Sequence, residues 1–132
     1  MIIGLLFDPI GAEEDCKTMK EFLKDYFPDA TVLNLDPLEL NKKQLDLLIF
    51  DYGGGVLYGS TILGESFADS VYEYHQDHPS CIIVCWTKMT EMYCKEYYER
   101  EKIDADFIIF ADNLEKDRLD VFEEIKRIIK ND

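Results

Sequence analysis

Between Lys43 and Lys88 the chain has neither a lysine nor an arginine, while the same stretch holds Asp46, Asp51, Glu65, Asp69, Glu73 and Asp77. It is the sharpest of several absences in a sequence of 132 residues, whose 28 acids and 14 bases give a formal net charge of −14. Such a surface repels a phosphate backbone or an anionic bilayer rather than steering it in, so nucleic-acid and membrane-surface roles are excluded. The acidity serves solubility unless a cation or a basic partner uses it. Long apolar runs are missing too, none approaching the ~18 residues of a bilayer span. Met1-Ile2-Ile3-Gly4-Leu5-Leu6-Phe7 lacks the basic start and small-residue cleavage site of a secretory leader, and a cytoplasmic location is expected.

Cysteine is sparse and unpatterned. Cys16, Cys81, Cys85 and Cys94 form no C-x-x-C pair and have no histidine at a zinc-like offset. Cys81 and Cys85 fall on one face of one expected strand, roughly 13 Å apart at ~3.3 Å per residue and beyond disulfide reach, so buried reduced thiols are expected. His75-x-x-His78 precedes Pro79 and reads as a helix-end surface pair, because no further ligand accompanies it. No internal repeat, low-complexity tract or linker interrupts residues 1–132, which read as one domain.

What is present is a βα alternation. Ile2 to Phe7, Ala30 to Leu35, Leu45 to Asp51, Cys81 to Trp86 and Asp106 to Phe110 are apolar runs without polar alternation, the pattern of parallel strands covered on both faces. Between them apolar residues recur at helical spacing: Cys16, Met19, Leu23 and Tyr26; Leu63, Phe67, Val71 and Tyr74; Met89, Tyr93 and Tyr97; Leu114, Phe122, Ile125 and Ile129. Pro37 to Lys43 leaves room for one further short helix. The acidic turn Glu13-Glu14-Asp15 and the basic turn Lys126-Arg127-Lys130 suit helix dipoles, with Ser60, Thr90 and Asn113 as candidate N-caps. Right-handed crossovers then give a doubly wound, flavodoxin-like α/β sheet of five parallel strands in the order 2-1-3-4-5, with helices on both faces.

The most informative run is Leu45-Asp46-Leu47-Leu48-Ile49-Phe50-Asp51-Tyr52-Gly53-Gly54-Gly55. It reads as a buried strand that delivers a carboxylate to the C-terminal sheet edge and then turns in a loop that no Cβ obstructs. Open α/β sheets place ligands and chemistry at that edge. Strand order brings Asp8, Asp51, Thr87 and Ala111-Asp112 to it.

An acid after strand one, an acid ending strand three and a hydroxyl ending strand four resemble the phosphoacceptor site of receiver domains in two-component response regulators. The resemblance implies that Asp51 is the phosphoacceptor, that Asp8 and Asp51 hold Mg²⁺, and that Thr87 follows the phosphoryl group. Gly59, eight residues after Asp51, stands where the family opens its third helix. The chain departs from the family in three respects. Asp8-Pro9 supplies one carboxylate where two are usual, Gly53-Gly54-Gly55 replaces a Met-Pro type turn, and Asp112 stands near the place of the expected lysine. A unit charge pair at ~4 Å is worth about 4 kcal/mol at an effective dielectric of 20, so an anion in place of that cation is not neutral. Lys88 is the obvious substitute. The expectation is therefore a regulatory or protein-binding module with an incomplete acidic site, and the chain leans away from enzyme chemistry without deciding the question.

Two other readings stay open. Gly59-Ser60-Thr61-Ile62-Leu63-Gly64-Glu65 is similar to the turn that carries the nucleophilic glutamate of nucleoside deoxyribosyltransferases, which implies an N-glycosidase-like enzyme using Glu65 with Asp46 or Asp51 as the acid. Alternatively, Tyr52, Tyr58 and Trp86 ring the Gly53–Gly55 loop for a flavin or nucleotide, the phosphate lying on backbone amides. Asp51 capping the glycine-loop amides accounts for the same residues without a ligand. Tyr93, Tyr97 and Tyr98 with Met89 and Met92 crowd the fourth expected helix, marking a homodimer or protein-partner face.

Overall fold

The computed structural model describes residues 1–7, 12–52, 61–87, 105–110 and 114–131, with the side chains of all but 61–66, 114 and 131. Its strands are β1 (Ile2–Leu6), β2 (Thr31–Asn34), β3 (Leu47–Tyr52), β4 (Ile82–Thr87) and β5 (Phe107–Phe110). Among the described residues four helices accompany them: α1 (Glu13–Tyr26), α2 (Pro37–Leu40), α3 (Thr61–Asp77) and α4 (Leu114–Asn131). All strand pairs are parallel and their order is β2-β1-β3-β4-β5, the flavodoxin-like arrangement. The Met89, Tyr93 and Tyr97 stripe and the caps Ser60, Thr90 and Asn113 lie outside the described residues, as does Cys94.

The absence of polar alternation has the physical cause expected of it, because apolar layers cover both faces of the sheet. On one face Leu48 and Phe50 of β3 and Ile83 and Cys85 of β4 pack against Leu40 of α2 and Phe67, Val71 and Tyr74 of α3. On the other, Leu47 and Ile49 with Val84 and Trp86 meet Met19 and Leu23 of α1 and Phe122 and Ile125 of α4. Cys81 and Cys85 belong to the first layer as free thiols. Gly4 of β1 is set by close approach, since a Cβ there would stand 2.7 Å from Leu45 Cδ1 and 2.9 Å from Leu35 Cδ1.

Strand boundaries differ from the apolar runs at Leu45-Asp46 and at Asp106, and the reason is chemical. Asp46 precedes β3 and clamps Ile2 in both directions: its amide donates to the Ile2 carbonyl at 2.9 Å, and its Oδ2 accepts the Ile2 amide at 2.7 Å. Asp106 precedes β5 and holds Ile83 the same way, amide to carbonyl at 2.8 Å and Oδ2 from the Ile83 amide at 2.8 Å. A carboxylate thus replaces one ladder bond at each strand start and satisfies a donor that sheet geometry leaves over. At the same end of the molecule the Leu45 amide donates to the Tyr74 hydroxyl, which itself donates to the Lys43 carbonyl.

Helix starts follow local rules unevenly. Asp36 caps α2, its Oδ1 accepting the Leu38 and Glu39 amides at 2.9 Å each, with Pro37 in the first helical position. The cap position of α1 is Ala12, without a side-chain bond, and three acids occupy the first turn. His78 follows α3, stacks on Tyr74 with ring centroids 4.1 Å apart, and places Nδ1 3.1 Å from the Tyr74 carbonyl oxygen. Among the described residues no helix is long and apolar enough to cross a membrane.

Candidate functional site

Asp51 is the penultimate residue of β3, one pair before the end of the ladder with its neighbour β4, at the C-terminal edge of the sheet. It pairs with Trp86, and Trp86 pairs with Ile109 of β5. On the β1 side the ladder couples Leu6 to Phe50, so Phe7 continues it beside Asp51. The row across the sheet at Asp51 is therefore Phe7, Asp51, Trp86 and Ile109. In-register residues of parallel strands point to the same face, and Phe7, Trp86 and Ile109 all belong to the layer shared with α1 and α4.

The two aromatic rings of that row define the surroundings of the carboxylate. β1 and β4 are not neighbours, and two strand spacings separate them by roughly 9.6 Å, yet the Phe7 and Trp86 ring centroids stand only 5.4 Å apart. The rings meet across β3 at the position of Asp51. Asp51 is 1% exposed, against 7% for Phe7 and 4% for Trp86.

Thr87 lies one residue further along β4, in register with Tyr52 and Phe110. Alternation along the strand turns it to the opposite face from Asp51. Tyr52 and Phe110 accordingly pack in the layer that contains α3. The structure thus brings Asp51 and Thr87 to the same edge on adjacent strands but directs them to different layers. Both are fully buried, and both are engaged in interactions. Tyr52 and Trp86, the rings assigned to a flat ligand, are core residues of opposite layers.

α1 supplies the described side chain whose ionisation responds to Asp51. Burial pushes the Cys16 thiol upward, the Lys20 ammonium pulls it back, and the Asp51 charge adds to the rise. The same thiol lies 3.7 Å from Asn34 Oδ1 at the end of β2. Cysteine at position 16 is legible from the sequence only as a member of the α1 core stripe. Its nearness to Asp51 arises from packing across the layer.

Asp46 does not reach this site. It stands at the opposite end of β3, about five residues or ~16 Å from Asp51 along an extended strand, and its carboxylate is committed to the Ile2 amide. It is not the acid for chemistry at the C-terminal edge. Asp8, Gly53, Gly54, Gly55, Tyr58, Lys88 and Asp112 lie outside the described residues, and so does the side chain of Glu65. Among the described residues no group of three or more His, Cys, Asp or Glu is placed to hold a metal ion. Compared with protein-family models and with curated protein sequences, the chain matches none.

Proposed function

We propose that the chain is a regulatory, protein-contact module built on a receiver-like but incomplete acidic site. The observation that carries this reading is the burial of Asp51, 1% exposed where Phe7 and Trp86 meet across its strand. Phosphoryl transfer to a carboxylate requires an in-line donor and cations around a dianion, and the reacting groups must come within about 3 to 3.5 Å. The described in-register neighbours of Asp51, Trp86 and Ile109, are apolar and bring no cation to the carboxylate, which supports the contact reading over phosphoryl transfer. In this reading Asp51 organises the edge, and the output is contact with another chain through the Met89 to Tyr98 segment.

The test has two arms. Amide shifts of Asp51 and Thr87 are recorded as Mg²⁺ and then beryllofluoride are added, and both are expected to stay in place. Sedimentation of Tyr97→Glu beside the parent is expected to show loss of a dimer or of the partner-bound species. Saturable shifts at Asp51 and Thr87 that require both additions establish phosphoacceptor chemistry instead, with Asp51 and Asp8 holding the Mg²⁺. Equal masses of two monomers remove the self-contact.

A further inference from the structure

We draw no further inference here: the strongest candidate, the exposed outer face of α3 with Asp69, Tyr72, Glu73 and Asp77, is a cluster of acidic residues around one aromatic ring, and nothing among the described residues shows what covers it.

Discussion

Replacing Asp106 with alanine removes the carboxylate that accepts the Ile83 amide at 2.8 Å and leaves in place the reverse bond from the Asp106 amide to the Ile83 carbonyl. Ile83 is wholly buried near the start of β4, a strand that lies between β3 and β5. Its amide points toward β5, but the β4–β5 ladder begins only at Val84 and Phe107, so no strand carbonyl is in register to receive it. A buried donor left without a partner costs about 1 to 3 kcal/mol. Because Asp106 itself is exposed, water relieves part of this, and a loss of about 2 kcal/mol is expected. That is a large fraction of the 5 to 15 kcal/mol typical of a domain, and in a chain of this size it lowers Tm by roughly 8 °C.

The conservative control sharpens the test. Asp106→Asn keeps an acceptor and loses only charge assistance, so its cost is about 1 kcal/mol. Asp120→Ala, an exposed acid on α4, stays within about 0.5 kcal/mol of the parent. Urea unfolding of the four proteins gives the ranking, and amide exchange locates it, with Ile83 in Asp106→Ala exchanging faster than Ile49. A loss below about 0.5 kcal/mol in Asp106→Ala, or one no larger than that of Asp120→Ala, refutes the clamp as a source of stability.

Two further outcomes follow from the same end of the molecule. Tyr74→Phe leaves the buried Leu45 amide without its acceptor and is expected to cost about 2 kcal/mol in urea unfolding, a value under 0.5 counting against the bond. Burial first, then the charges of Asp46 and Asp106, push the Cys81 thiol up to about 12. The folded state thus holds the thiol protonated while the unfolded chain ionises near 8.5; stability is full below that pH and falls toward about 12, by up to about 1.4 kcal/mol per pH unit. Between pH 8 and 10 the parent should lose about 1 to 2 kcal/mol more than Cys81→Ala, and parallel profiles would show that the thiol does not contribute.

The sheet was legible because its inner strands β1, β3 and β4 are buried on both faces, which writes a continuous apolar run into the sequence at Leu47 to Phe50 and Ile82 to Trp86, whereas the edge strands β2 and β5 are mostly half-buried. The α1 and α3 stripes were legible for the same reason, burial on one side at a spacing of three and four residues. Asp46 and Asp106 were not, because a carboxylate at the start of an apolar run looks like a strand member until its partner on the next strand is known. Asp36 was missed as a cap because Pro37 and the short span to Leu40 carry too little periodicity to fix a helix start. The cleft of about 820 Å³ whose described walls come from β1, α1, β2, α2 and α3 leaves no local signature, because residues far apart in the chain line it.

The face on which Asp51 lies depends on a quantity that strand patterns do not encode, the stagger between β3 and β4. Had Asp51 paired with Thr87, the carboxylate and the hydroxyl would share a layer. Pairing with Trp86 instead shifts the ladder by one residue, and one residue of shift exchanges every side chain between the faces. The apolar pattern tolerates either stagger, because both faces of these strands are covered and neither register exposes a leucine. A one-sided sheet would have fixed the register by its polar residues. Here the choice falls to the strand starts, where Ile82 donates to the Asp46 carbonyl and Asp46 clamps Ile2. The bond from Ile82 to the Asp46 carbonyl at one end of β3 belongs to the same register that places Trp86 beside Asp51 at the other, about five residues away.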